Sequence, residues 1–128
     1  MNKPMSFRDL EVFKLAKRLA IEIHKMTLEL PRFELYEEGS QIRRSSKSVV
    51  SHIVEGFGRR DYKNDFLHHI AGAITECDET QVHLELLYET ESLKDKDEYE
   101  HLQKEYNVLA RKLNRFHQSI LNQHMSPK

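Results

Sequence analysis

The chain has 128 residues, 38% of them apolar and 32% charged, with four glycines, three prolines and a formal net charge of −1. That length suits one domain burying roughly 65–70% of its unfolded surface, and no run approaches the ~20 apolar residues of a membrane span. One cysteine, Cys77, excludes an internal disulfide, and a start without an apolar leader core leads us to expect a cytoplasmic, reducing location.

In chain order, Ser6 and Asp9 have capping-box spacing and open a first helix over about 7–30. Val12, Ala16, Leu19, Ile23, Met26 and Leu30 alternate four and three residues apart, the seam of a bundle helix. Pro31 ends it, and Phe33 and Tyr36 are expected to cover the following turn. Ser40 is the expected N-cap of a second helix over about 40–57, with Ile42, Ser46, Val49, Ile53 and Phe57 inward. Gly56 and Gly58 are expected to stop it by leaving helical geometry.

Asp61 is the expected cap of a third helix over about 62–91, striped by Phe66, Ile70, Ala73, Cys77, Thr80, Leu84 and Leu87. The acidic cluster Asp95 to Asp97 caps a fourth over about 96–121, with Tyr99, Leu102, Tyr106, Leu109, Leu113, Phe116 and Ile120 inward. Residues 122–128 are expected to fray. Short connections make consecutive helices antiparallel, so the predicted fold is an all-α, up-down-up-down four-helix bundle in a single domain.

Charge is unevenly spread. Residues 39–63 carry six cations against two anions, whereas residues 64–98 carry two cations against ten acids. A basic segment beside an acidic one points to complementarity within or between subunits as readily as to an outside partner.

The most informative stretch is Glu34 to Gly58, where a glutamine, two arginines, several serines and Glu55 fall on one helix. Small side chains let a neighbouring backbone come close. The stretch reads Gln41-Ile42-Arg43-Arg44, then Ser48, then Ile53-Val54-Glu55-Gly56. With Phe7-Arg-Asp-Leu10, Leu30-Pro31, Glu34, Tyr36 and the run from Ala71 to Glu76, it resembles the four-helix-bundle family of 23S rRNA intervening-sequence proteins over nearly the whole chain. The chain departs from the commoner pattern at Phe13 (tryptophan is usual), Glu37-Glu38 (Gly-Leu) and His52 (asparagine), which marks a divergent branch. The resemblance implies a homopentamer. It extends more distantly to accessory proteins of diversity-generating retroelements, which assist a reverse transcriptase and bind nucleic acid.

Two roles compete for the signature residues. Gln41, Arg43, Ser48 and Glu55 are candidate oligomer-interface residues. Adjacent Arg43 and Arg44 point about 100° apart, so one is expected to meet a carboxylate and the other a groove or solvent. Glu55 lies about three turns away, and its partner is expected from another helix or subunit. Alternatively, Arg43, Arg44, Lys47, Arg59, Arg60 and Lys63 engage phosphates, with Tyr62 as a stacking platform for RNA or DNA. The acidic face of the third helix (Glu76, Asp78, Glu79, Glu85, Glu89) is solvated surface or a dock for a basic protein.

No catalytic residue, metal or cofactor is assigned. Asp65/His68 and Glu98/His101 have carboxylate-x-x-His spacing but fall at opposite ends of antiparallel helices, off the inner stripes. Ser48, His52 and Glu55 share a rigid helix face with no oxyanion hole in sight, and Cys77 sits on an apolar stripe. The expected function is a non-enzymatic oligomeric platform for nucleic acid or a ribonucleoprotein, the alternative being a pure protein-interaction scaffold.

Overall fold

The computed structural model describes residues 6–123. Four helices follow one another: α1 (Glu11–Leu28), α2 (Glu38–Gly58), α3 (Lys63–Glu89) and α4 (Lys96–Gln123), with short 3-10 turns at Phe7–Asp9 and Arg32–Leu35. No strand occurs among the described residues, and no helix there is long and apolar enough to cross a membrane.

Antiparallel pairing shows in which residues meet. Along α1 and α4, Glu11 bonds Lys112, Arg18 bonds Glu105 and Glu22 bonds His101, one partner's number falling as the other's rises. Arg18 bridges Glu22 and Glu105 at 2.8 and 2.7 Å, and the guanidinium beside Glu105 lowers that carboxyl from its ordinary value. Between α2 and α3, Glu38 meets His83, Ser45 meets Thr80, and the His52 ring packs over Gly72. The bundle is up-down-up-down.

The heptad stripes predict the core closely. Leu19, Ile23, Ile42, Ile53, Ile70, Leu84, Leu87, Leu109 and Leu113 are fully buried. Each such side chain contributes roughly 1.5–3 kcal/mol by leaving water. Phe66, Ile70 and Ile120 form a smaller cluster at the end where α2 hands over to α3, with Phe116 packed edge-on against Phe66. Cys77 is core as expected, and burial first, then neighbouring Asp78, pushes its thiol up to about 12.

The helix ends differ from expectation in informative ways. The Ser6–Asp9 box forms, but it caps a 3-10 turn. Leu10 is extended and buried there, and Phe7 stands edge-on to Phe13 at 5.0 Å, so α1 starts at Glu11 and ends at Leu28. Ser40 is not the cap of α2, which begins at Glu38. Glu34 does that work, accepting the Gly39 N–H at 2.9 Å. Neither Gly56 nor Gly58 leaves helical geometry; both lie inside α2, and the chain turns at Arg59, whose N–H reaches the Gly56 carbonyl.

Asp61 does not cap α3, because Tyr62 takes the N-cap position and closes the turn by donating its N–H to the Arg59 carbonyl. Asp95 does cap α4, accepting the Glu98 N–H. The left-handed residue of the α3–α4 turn is Glu91, at φ 68°. α4 continues to Gln123, and the remainder of the expected frayed tail, 124–128, lies outside the described residues.

The α1–α2 connection inverts the usual burial. Phe33 and Tyr36, expected to cover the turn, are 55% and 85% exposed, while Glu34 between them is buried. A 3-10 turn repeats every three residues, so Phe33 and Tyr36 share one side and Glu34 takes the other. There its carboxylate also accepts the Ser92 hydroxyl at 2.6 Å, joining this connection to the α3–α4 turn.

Candidate functional site

α2 buries small polar side chains where a bundle helix usually buries bulk. Ser45 and Ser46 are buried; Ser46 returns its hydroxyl to the Arg43 carbonyl, and Ser45 shares a 2.8 Å bond with Thr80 across the α2–α3 contact. The Ser45, Ser46 and Thr80 hydroxyls are all satisfied, whereas Arg43 Nη1 on α2 and His69 Nδ1 on α3 are buried without a partner. Above that floor the two helices part into a polar cleft of about 240 Å³. Gln41, Arg44, Ser45 and Ser48 line it from α2, and Glu76, Glu79 and His83 from α3.

The adjacent arginines separate as their spacing demands, with one difference. Arg43 meets a backbone carbonyl, that of Leu35 at 2.9 Å, in place of the expected carboxylate. Arg44 enters the cleft and forms an ion pair with neither glutamate. Gln41 and Ser48 line the same cleft. Within the chain Glu55 pairs on its own helix: Arg59, one turn on, binds it at 3.2 Å and also approaches Asp65 at 3.8 Å.

The remaining candidate cations do not form one patch. Lys47 lies on the opposite side of α2, donating to His24 Nδ1 of α1. Arg60 lies over the Phe57 ring at 4.1 Å and donates to the Phe57 carbonyl. Tyr62, 66% exposed, stands beside Arg59, Arg60 and half-buried Lys63 at the α2–α3 corner. Of the seven residues expected to touch nucleic acid, these last four are neighbours in the chain, with Arg59 paired to Glu55 and Arg60 lying over Phe57.

Two further surfaces escaped the sequence reading. Between α1 and α2 runs a mostly apolar groove of about 480 Å³, floored by Ala20, Ile21 and Val50 and edged by Lys17, Lys25 and Lys47. Ile21 is exposed there. On α3, Val82 and Leu86 are exposed opposite the buried Thr80, Leu84 and Leu87, flanked by exposed Asp78, Glu85 and Glu89. Both were legible as patterns: a Lys-Ile-Lys repeat at four-residue spacing, and two apolar residues on the solvated face of a helix.

Asp65/His68 and Glu98/His101 lie near the starts of α3 and α4, and His101 is engaged by Glu22 at 2.9 Å. No group of three or more metal-ligating side chains assembles among the described residues. Ser48 opens onto the cleft, and the His52 ring lies over Gly72.

Residues 8–115 match a family model described as 23S rRNA-intervening sequence protein. Among solved structures, the chain is similar to a Bacteroides thetaiotaomicron VPI-5482 protein, described as a protein with unknown function from the S23 ribosomal protein family. The TM-score is 0.72 at 24% identity, over 84% of this chain and 95% of that one. No curated protein matches. The structural likeness bears on the fold.

Proposed function

Since the chain belongs to the 23S rRNA-intervening sequence protein family, we propose that it is a non-enzymatic platform assembled from copies of itself. The observation that carries this reading is that one protomer presents two surfaces of complementary charge and shape. The α1–α2 groove presents Lys17, Ile21 and Lys25 over about 12 Å of helix, with Lys47 across it. The outer strip of α3 presents Asp78, Val82, Glu85, Leu86 and Glu89 over about 16 Å. Apolar centre meets apolar centre, and three cations meet three carboxylates.

The two surfaces lie on different faces, so the contact is heterologous: every copy offers a groove to one neighbour and a strip to another. Such contacts close into rings when the rotation allows. The family resemblance supports five subunits, with Arg43 and Glu55 of α2 as further interface candidates, while Gln41 and Ser48 line the α2–α3 cleft.

Light scattering tests this. Reversing Lys17 and Lys25 to glutamate is expected to disperse the assembly, and so is reversing Glu85 and Glu89 to lysine. Combining all four changes is expected to restore it, because the swapped charges again match. Monomers of the unaltered chain at all concentrations, or a combined variant as dispersed as its parents, would rule this contact out.

A second reading, nucleic-acid contact, is favoured by exposed Tyr62 standing among Arg59, Arg60 and Lys63. A base stacked on the ring with phosphates on the cations is sequence-tolerant and salt-sensitive. Changing the three cations to glutamate is expected to abolish single-stranded RNA binding in a gel-shift titration while the particle mass holds. Undiminished binding by that variant would remove this corner as the contact, and no binding by the unaltered chain would leave the platform a pure protein scaffold.

A further inference from the structure

We propose that the polar cleft between α2 and α3 binds a small zwitterion carrying one anionic and two cationic groups, which is the charge pattern of a basic α-amino acid. The inference does not rest on self-assembly.

The cleft is built, and its walls are committed. Ser45 and Thr80 are bonded to each other at its floor, and at one end Glu38 holds the His83 imidazole at 2.9 Å. The groups between them are uncommitted. The side chains of Gln41, Arg44, Glu76 and Glu79 make no hydrogen bond or ion pair with any described residue. Opposite charges line one open cleft without pairing, with Gln41, Arg44 and Glu79 exposed and Glu76 half-buried, although Arg44 is long enough to swing towards a carboxylate.

The charge inventory selects the ligand. One guanidinium asks for an anion and offers a planar fork suited to a carboxylate. Two carboxylates ask for two cations. Glu76 and Glu79 are three residues apart on one helix, about 5–6 Å between Cβ atoms, so they form two neighbouring docks. An α-carboxylate on Arg44, the α-ammonium on Glu76 and the side-chain cation on Glu79 satisfy all three charges. Gln41 and Ser48 supply further donors and acceptors. A volume of about 240 Å³ holds about eight waters at ~30 Å³ each, room for a ligand of amino-acid size.

A ligand lacking any one charge leaves one cleft charge unpaired, and that loss sets the specificity. Calorimetric titration with lysine, arginine, cadaverine (no carboxylate) and norleucine (no side-chain cation) tests it. The two basic amino acids are expected to bind at least tenfold more tightly than either analogue, ~1.4 kcal/mol. Arg44→Ala is expected to bring lysine down to the cadaverine level and leave cadaverine unchanged. Glu79→Gln is expected to bring lysine down to the norleucine level.

Absence of heat from all four compounds would overturn the proposal, as would equal affinity for all four. So would an Arg44→Ala variant whose particle mass differs from that of the unaltered chain, since the cleft would then belong to a subunit contact. Titrating the Lys17→Glu/Lys25→Glu variant separates the two readings: its cleft is intact, and lysine binding is expected to persist whatever its assembly state.

Discussion

Glu34→Ala is expected to lower the unfolding free energy by about 3–4 kcal/mol, measured by urea denaturation of the dispersed chain. The carboxylate is 3% exposed and accepts two hydrogen bonds, from the Gly39 N–H and the Ser92 hydroxyl. Bonds to a charged group contribute roughly 1.5–3 kcal/mol each, and truncation also leaves both donors unpaired. Water entering the space the carboxylate leaves recovers some of that loss, which keeps the figure below the sum.

Three elements come apart together in this variant: the turn carrying Phe33 and Tyr36, the first turn of α2, and the α3–α4 connection. Glu34→Gln is the control. It keeps the acceptor for Gly39, and Ser92 turns its hydroxyl to accept from the new amide, so a cost of only about 1 kcal/mol is expected. Equal losses in both variants would show that charge matters and the bond pattern does not.

Gly56→Val is the second large effect, a loss of about 2–3 kcal/mol in the same assay. Where α2 crosses α3, a Cβ at position 56 would sit 3.1 Å from both His69 Cβ and Ile70 Cδ1. Alanine asks those neighbours to give a few tenths of an ångström, and its better helix propensity, about 1 kcal/mol over glycine, offsets the strain. Valine adds two methyl groups with no space to enter, and overpacking of this kind typically costs 1–3 kcal/mol. A valine variant as stable as the parent would mean that α2 and α3 slide apart freely, and the walls of the cleft would lose their rigidity.

These two residues also show where the sequence was legible. Glycine often ends helices, yet Gly56 is a buried packing residue in the last turn of α2. The helix stops two residues later, at Gly58, closed by backbone bonds. Composition cannot separate the two uses of glycine; only the neighbour across the gap does. Glu34 was noticed as part of the family pattern, but its burial follows from a 3-10 turn that places its flanking aromatic residues outward. Capping was partly readable: Ser6 and Asp95 cap as expected, whereas Ser40 and Asp61 do not, because Glu34 and a backbone turn supply those bonds.

The candidate site divides the same way. Arg43 and Arg44 had to diverge, since neighbours on a helix always do. Which of them would tie down the Leu35 carbonyl and which would enter the cleft depended on the path of the α1–α2 connection. The acidic residues of α3 were visible as a run of charge. Helix geometry then sorts them, placing half-buried Glu76 and exposed Glu79 along the cleft and Asp78, Glu85 and Glu89 on the outer strip.

What the chain determined unaided is its architecture: four apolar stripes of helical period, joined by short turns, have one economical way to hide from water, and burial follows the period except at half-buried Leu30, Tyr99 and Phe116. The meeting of Gln41, Arg44 and Ser48 with Glu76, Glu79 and His83 was decided by tertiary packing. Their positions are some 30 residues apart in the chain. Apolar periodicity specifies that two helices touch, whereas the register at which polar faces oppose each other is set by how closely backbones approach, here through Gly56, Gly72 and the Ser45–Thr80 bond.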